Sequence, residues 1–263
     1  MTGQGRRTIM KGDAPSYSGP EQIESYYNNA DAPILRTVKK GNHKITAIQS
    51  CPYPNDSKRS FLTLWVSGCR EGEAIMLNPF QWKWNKEAIL GSKLPVLKKR
   101  EKVKDADGNV IYKPVVQKVI QQDGSIRDQT IYRPMSQQKI EYRDHLVPMD
   151  IPLGETFIDM IHTLQNEGIQ YILFKRKRFS RDIVKDKATS TRSVLSRITE
   201  LHPDLFPHGI RALLARYLRD RYGGDFDAPE LKNLFKWSSG EMATYYLSGQ
   251  KLANKMGITR VPS

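Results

Sequence analysis

The chain has 263 residues, of which 42 are Lys or Arg and 28 are Asp or Glu, so its formal net charge is +14 at pH 7. This length is enough for one large domain or two small ones, and so basic a composition is typical of proteins that bind nucleic acid, although it also serves solubility alone. The two cysteines, Cys51 and Cys69, exclude a disulfide framework or a cysteine-rich zinc site, and no apolar run reaches the length of about 18 residues that a membrane span needs. With no apolar leader at the N-terminus, we expect a protein that acts in the cytoplasm, or wherever its polyanionic partner is, and not at a membrane.

The N-terminal part of the sequence changes character near residue 30. Residues 1–30 are rich in Gly, Ser, Pro and Asn without periodicity, which predicts a flexible segment. The later run DSKRSFLTLWVSGCREGEAIML predicts one helix, because Asp56 is a suitable N-cap and Phe61 and Leu64 share a face. Gly68 and Gly72 are expected to be tight-packing positions or weak points within it.

Short β-favouring runs occupy residues 82–148: EAIL, PVLKK, NVIYKPVVQKVI, QTIYRPM and HLVPM, with Asp-Gly turns among them. Two segments end alike, DGNVIYKP at 107–114 and DGSIRDQTIYRP at 123–134, and we interpret them as two similar hairpin arms. This region therefore predicts a small antiparallel sheet with a long β-hairpin insertion at about residues 100–140.

Helical periodicity returns at residue 154, in GETFIDMIHTLQNEG, TSTRSVLSRITEL, HGIRALLARYLRDRYGG, APELKNLF and EMATYYLSGQKLANKMG. In the third run, Ile210, Leu213, Leu214 and Tyr217 follow the i, i+3, i+4, i+7 spacing of a buried helical face. The expected fold class is α+β, mainly α, with one domain over residues 31–250 and a tail over residues 251–263.

Two pairs of polar residues stand three apart at helical spacing, Arg70 with Glu73 in GCREGE and His208 with Arg211 in PHGIR. Taken alone, an Arg and Glu at this spacing usually form a surface ion pair, and a His near a helix start is usually a cap or a packed residue. Arg211 and His208 beside the N–H groups of a helix start would instead form an anion cradle.

The order of the motifs is more specific than any one of them. GCREGEAIML, a β region with basic residues, HGIRALLARYL, LFKWSS and TYYLSG together resemble the catalytic domain of the tyrosine recombinases, the phage integrase family. That domain carries an arginine in a G-x-R-x-x-E helix, a hairpin lysine, an H-x-x-R pair, a His or Trp, and a nucleophilic tyrosine. The resemblance covers residues 57–250.

The resemblance implies the following roles by position. The matched residues are Arg70 with Glu73 as its acidic companion, the pair His208 and Arg211, and Trp237 at the His/Trp position. The nucleophile of the family follows that position by about nine residues, which selects Tyr246, with its neighbour Tyr245 as the alternative. The N-terminal helical domain of typical members is not expected in the mostly polar residues before Arg70.

Other basic residues also have expected roles. The hairpin lysine falls on Lys98, at the end of an early strand, or on Lys139, before the strand HLVPM, and we favour Lys98. The basic run KRKRFSR is expected to contact DNA phosphates, unless it is an ordinary solvated loop. Its first four residues are Lys175, Arg176, Lys177 and Arg178.

The resemblance implies a site-specific DNA recombinase that integrates or excises a mobile element. It would cleave and rejoin double-stranded DNA at specific recombination sites through a 3′-phosphotyrosyl intermediate, as a homotetramer and without metal, ATP or another cofactor. Two alternatives stay open, a DNA-binding protein that keeps the fold without cleavage and a relaxing enzyme like the type IB topoisomerases.

Overall fold

The computed structural model describes residues 17–40, 43–120, 125–177 and 182–222. The chain divides into two compact units, one formed by Met1–Pro95 with Tyr142–Ser263 and the other by Val96–Glu141. The predicted helices after residue 222 and the tail at residues 251–263 lie outside the described residues.

The first unit contains all the described helices. They are α1 (Pro20–Asn28), α2 (Pro54–Ser67), α3 (Glu71–Ala74), α4 (Gly154–Asn166), α5 (Thr191–Leu201) and α6 (Pro207–Tyr222). Helix α2 is central, because it contacts α1, α4, α5 and α6 and every residue from Ser60 to Ser67 is buried. A helix that is buried all round is surrounded by its neighbours, so α2 organises this unit.

The described strands are β1 (Ile34–Lys40), β2 (His43–Gln49), β3 (Trp82–Trp84), β4 (Ala88–Lys102), β5 (Tyr112–Ile120), β6 (Ile126–Pro134), β7 (Ser136–Pro148), β8 (Phe174–Arg176) and β9 (Ile183–Ala188). They form a sheet in the order β3-β4-β7 and three two-stranded ribbons, β1-β2, β5-β6 and β8-β9. In the described part of the chain, strands hold about as many residues as helices. The mixed α and β class with antiparallel sheets is confirmed. The described residues are not mainly helical, because the β region forms longer strands than its short apolar runs predict, and two of the predicted helices lie outside the described residues.

Helix α1 corrects the expectation of a flexible segment over residues 1–30. Ile23 is fully buried, and Tyr26 packs edge-on against Phe61 of α2 with 6.4 Å between ring centroids. Pro20 at the helix start fixes a helical φ, and Glu21 in the first turn complements the helix dipole. The two apolar residues three apart are enough to dock this short helix, while residues 1–16 lie outside the described part.

The predicted helix from Asp56 is two helices. Helix α2 begins two residues earlier, at Pro54, and ends at Gly68, whose φ of 57° places it in the left-handed region. Glycine tolerates this conformation without a Cβ clash, so Gly68 terminates α2 and turns the chain. Arg70 then becomes the N-cap of α3.

The core of the first unit joins the central helix to the sheet and to α6. The predicted apolar face of α6 is buried at Ile210, Leu213, Leu214 and Tyr217, as the spacing predicts. Trp65 of α2 packs edge-on against Tyr217 at 5.6 Å between ring centroids. None of the helices in the described ranges is both long and apolar enough to cross a membrane.

The second unit contains the β-hairpin insertion, and its limits lie close to the predicted residues 100–140. The two segments that end alike are the arms of one hairpin, since Tyr112 pairs with Pro134 and Pro114 pairs with Tyr132 across β5 and β6. Both prolines lie in a two-stranded ribbon, where a strand tolerates the missing N–H donor.

Candidate active site

The turn between α2 and α3 positions the first candidate arginine. The backbone N–H of Arg70 donates to Oε2 of Glu73 at 2.9 Å, and Nη1 of Arg70 lies 3.4 Å from Oε1 of the same carboxylate. The side chain of Glu73 is 1% exposed, whereas that of Arg70 is 38% exposed. Glu73 therefore holds Arg70 at the surface while lying itself in the interior.

Helix α6 brings the second arginine to the same carboxylate. Nη1 of Arg211 donates to the carbonyl oxygen of Gly68 at 2.6 Å and lies 3.6 Å from Oε2 of Glu73. Arg211 is 1% exposed. The structure thus brings Arg70, Glu73 and Arg211 together, although they come from two distant segments of the chain.

His208 lies at the start of α6 and is partly buried. Its burial lowers the pKa of the imidazole to about 4, and the positive charges of Arg211 and Arg70 act in the same direction. The ring is therefore neutral at pH 7. A neutral imidazole accepts a proton, which a cationic one cannot do.

The second arginine keeps its charge in spite of its burial. Desolvation and the nearby Arg143 lower the pKa of Arg211 to about 9, and the charge of Glu73 opposes this shift. The guanidinium is still protonated at neutral pH. It can therefore act as a fixed positive charge near a bound anion.

Strand β7 adds two buried residues that the sequence did not assign to the site, Arg143 and His145. Nη2 of Arg143 donates to the carbonyl oxygen of Ser67 at 2.8 Å. Nη1 of Arg143 lies 2.9 Å from Nδ1 of His145. Because a guanidinium only donates, this Nδ1 accepts, and Nε2 donates to the carbonyl of Val66 at 2.9 Å. Burial and the charge of Arg143 lower the pKa of His145 well below its ordinary value.

These contacts give the cluster an excess of positive charge. The cluster contains the guanidiniums of Arg70, Arg143 and Arg211 and the carboxylate of Glu73. The imidazoles of His145 and His208 are neutral. Three guanidiniums against one carboxylate favour an anion, and the paired donors of a guanidinium match the oxygens of a phosphate group. Across the described ranges, no group of three His, Cys, Asp or Glu side chains is arranged to hold a metal ion.

The other predicted catalytic residues lie in the second unit or outside the described residues. Lys98 and Lys139 belong to the second unit, where Nζ of Lys98 lies 3.2 Å from Glu141 and Nζ of Lys139 lies 3.9 Å from Glu101. Trp237, Tyr245 and Tyr246 lie outside the described residues.

The basic run expected to contact DNA begins in β8. Nε of Arg176 lies 3.1 Å from Oδ1 of Asp56, so this side chain is drawn toward the start of α2. Lys175 and Lys177 are exposed, and Lys177 lies 3.7 Å from Asp182. Arg178 lies outside the described residues.

No protein-family model matches the chain, and neither does any curated protein. Among solved structures it is similar to the XerA recombinase, with 12% identity, a TM-score of 0.47, and coverage of 94% of this chain and 65% of that one. It is also similar to the Tn1549 transposon integrase in complex with transposon right end DNA, with 11% identity and a TM-score of 0.45. That match covers 94% of this chain and 65% of the integrase chain. The XerH site-specific recombinase bound to difH substrate is similar with 12% identity and a TM-score of 0.43. That match covers 94% of this chain and 54% of the XerH chain.

The similarity to these three structures extends over 94% of this chain, at 11–12% sequence identity. The chain spans 65% of the XerA recombinase chain.

Proposed function

We propose that this chain is a DNA strand transferase of the tyrosine recombinase type, which cleaves and rejoins DNA at specific sites through a 3′-phosphotyrosyl intermediate. The observation that carries the proposal is the convergence of Arg70 and Arg211 on Glu73, beside the neutral His208. A phosphodiester is an anion suited to this excess of positive charge. Double-stranded DNA is accordingly the proposed substrate, with recombination sites as its specific form.

The two arginines would stabilise the transition state. Attack on a phosphodiester adds negative charge to the non-bridging oxygens, and fixed guanidinium donors aimed at them lower the barrier. Removing one donor of this kind typically costs about 10²–10³ in rate. Glu73 positions both guanidiniums, so that they need not reorganise when the charge develops.

The proposed nucleophile is the hydroxyl of Tyr246. An unperturbed tyrosine has a pKa of about 10, so its proton must leave as the oxygen attacks phosphorus. The neutral imidazole of His208 would assist this proton transfer, and Trp237 would donate its indole N–H to a phosphate oxygen.

The bonds and protons of the step balance without a further reactant. The tyrosine oxygen forms a bond to phosphorus, the bond from phosphorus to the 5′ oxygen breaks, and a lysine, Lys98 or Lys139, protonates that oxygen. The products are a 3′-phosphotyrosyl link and a 5′ hydroxyl. Attack by the 5′ hydroxyl of another strand reverses the step, and a homotetramer on two sites would pair the strands for integration or excision of a mobile element.

A second candidate function is DNA binding without cleavage. The observation in its favour is that Arg211 is only 1% exposed, whereas a guanidinium that contacts a phosphate must reach the surface of the site. Under this alternative the buried arginine serves the packing of α6 against the turn at Gly68.

The deciding experiment traps the covalent intermediate. A library of nicked duplexes with randomised sequence lets the 5′ fragment diffuse away after cleavage, so that covalent complexes accumulate and can be sequenced from a denaturing gel. We expect adducts with the wild type and with Tyr245→Phe, and none with Tyr246→Phe. Adducts that persist in Tyr246→Phe and vanish in Tyr245→Phe would reassign the nucleophile.

The arginine variants separate the two candidate functions. We expect Arg70→Ala and Arg211→Ala to lose the adducts while a gel-shift assay still detects DNA binding. A wild type that shifts DNA but forms no adduct with any sequence in the library would establish the non-cleaving alternative.

A further inference from the structure

A concave site lies at the opposite end of α2 from the turn at Gly68. It is a cavity of about 520 Å³ between the start of α2, strand β8 and the first turn of α5. Its charged lining residues are Asp56, Arg59, Lys175, Arg176, Lys177 and Arg197. We call it the α2–α5 pocket.

Arg59 forms the inner wall of the α2–α5 pocket. Its side chain is 12% exposed, pairs with Asp56, and stacks on Phe174 with its Cζ 3.8 Å from the ring centroid. Arg176 pairs with the same Asp56 and lies 5.2 Å from the same ring. One carboxylate and one aromatic ring thus fix two guanidiniums side by side.

Arg197 approaches from α5 in the same manner. Its Cζ lies 3.6 Å from the centroid of the Tyr53 ring, and its Nη1 lies 2.8 Å from Oε1 of Glu200. Oε2 of Glu200 accepts from Ser57 at 2.9 Å. The stack and the ion pair restrict the guanidinium, so it loses little conformational entropy when it binds a ligand.

The charges around the pocket do not cancel. Five cationic side chains line it against the single carboxylate of Asp56, and Glu200 and Asp182 pair with two of the cations from outside the lining. Burial lowers the pKa of Arg59 to about 10, and the charges of Arg176 and Arg197 act in the same direction. Like charges held this close are costly unless an anion joins them, and the start of an α-helix adds positive potential.

We propose that the α2–α5 pocket binds a phosphate group of the DNA backbone, away from the phosphate that is cleaved. The helix positions from Asp56 to Ser67 cover about 16 Å along the axis of α2, at about 1.5 Å per residue. At about 3.4 Å per nucleotide along one strand, this is the span of about five nucleotides. The separation of the two sites along α2 therefore matches a spacing between phosphates of one DNA strand. The inference rests on the proposed DNA substrate and adds a positioning site to it.

The test measures how salt weakens DNA binding, in a Tyr246→Phe background so that no cleavage intervenes. Removing one protein–phosphate interaction reduces the slope of log K against log salt by about 0.9. We expect Arg197→Gln and the double variant Arg176→Gln with Arg197→Gln to flatten the slope by about one and to weaken binding by about 10-fold. The matched control is Lys83→Gln, which removes one exposed charge on β3, outside the pocket.

A second measurement uses chemical modification of the protein with its pocket arginines unchanged, so that its result does not depend on whether the variants fold. Phenylglyoxal modifies accessible guanidiniums, and mass spectrometry locates the adducts. We expect a duplex of about 30 base pairs to protect Arg176 and Arg197. The same protection is measured with inorganic phosphate at millimolar concentration in place of the duplex, to compare DNA with a free anion.

The outcomes are distinct from those of the trapping experiment. A slope equal to that of Lys83→Gln, or modification of both arginines undiminished by DNA, would overturn the proposal whether or not covalent adducts form. Protection by inorganic phosphate but not by the duplex would overturn it too, and would assign the pocket to a small anion.

Discussion

Glu73 is the residue on which the candidate active site depends. Its carboxylate, 1% exposed, lies within ion-pair distance of Arg70 and Arg211. It also accepts from the backbone N–H of Arg70, while Arg211 donates to the carbonyl of Gly68 in the adjoining turn. Removal of this carboxylate would leave the neighbouring guanidinium charges without a counter-ion.

We therefore expect Glu73→Gln to lower the unfolding free energy by about 3 kcal/mol, because it leaves buried guanidinium charge without its counter-ion. Urea unfolding at pH 7 measures the change. The control is Glu71→Gln in the same short helix, where a surface substitution costs at most about 0.5 kcal/mol. Equal losses in both variants would contradict the role given to Glu73.

The lowered pKa values of the buried His145 and the partly buried His208 predict how the unfolding free energy depends on pH. Their folded-state pKa values lie below the unfolded value of about 6.5, so the unfolded chain binds more protons in the interval below 6.5. Stability is complete above pH 6.5 and falls as the pH falls toward 4, by on the order of 1 kcal/mol per histidine between pH 7 and about 5.5.

Unfolding free energies at pH 7 and about 5.5 test this expectation. His208→Asn should remove about 1 kcal/mol of the difference between the two pH values, whereas the exposed His162→Asn should leave it unchanged. A pH difference that is the same in His208→Asn and in the wild type would show that His208 is not buried as a neutral ring.

At the scale of elements, the turn between α2 and α3 determines where the first arginine lies. Arg143 and His145 of β7 donate to the last carbonyls of α2, and Arg211 of α6 donates to Gly68. A strand and a helix thus satisfy the carbonyl groups that a helix end leaves without partners, and in doing so they fix the turn that carries Arg70.

Replacing the glycine of that turn should disturb both stability and activity. Gly68→Ala places a Cβ at φ 57°, which costs on the order of 1 kcal/mol, and it should reduce covalent trapping because the turn shifts. Gly72→Ala, in a helix and without positive φ, is the control and should not lose stability. Urea unfolding and the trapping assay measure the two effects, and a Gly68→Ala protein with both values intact would exclude a special role for the turn.

At the scale of the whole molecule, the hydrophobic core belongs to the first unit. Its buried cluster contains no residue of Val96–Glu141. Strands β4 and β7 run antiparallel, because Lys98 pairs with Glu141 while Val103 bonds to Met135 further along. A short turn can therefore replace the insertion between them.

We expect a variant in which Asn-Gly joins Pro95 to Tyr142 to keep a cooperative unfolding transition, with most of the unfolding free energy retained. Thermal and urea unfolding followed by circular dichroism measure this. A chain without a cooperative transition would show that the second unit contributes to the core of the first.

Sequence patterns were sufficient where the physics is local. The spacing of Ile210, Leu213, Leu214 and Tyr217 predicts the buried face of α6, and the Asp-Gly and Ile-Tyr-x-Pro repeats predict a hairpin, because periodicity and turn chemistry act over a few residues. The same patterns missed α1, whose two buried residues are too few to give a periodic signal. The patterns also predicted α2 and α3 as one helix, because a glycine within a helical pattern does not by itself indicate a left-handed turn.

The sequence by itself determined the order of the motifs, and the family resemblance of that order grouped Arg70, Glu73, His208 and Arg211 as a candidate site. Only the tertiary structure decided that one buried carboxylate serves both arginines, that Arg143 and His145 face the interior, and that Arg59, Arg176 and Arg197 share a pocket. Charged residues on a strand are expected to face water, and their burial is decided by hydrogen-bond partners far away along the chain, which no local pattern encodes.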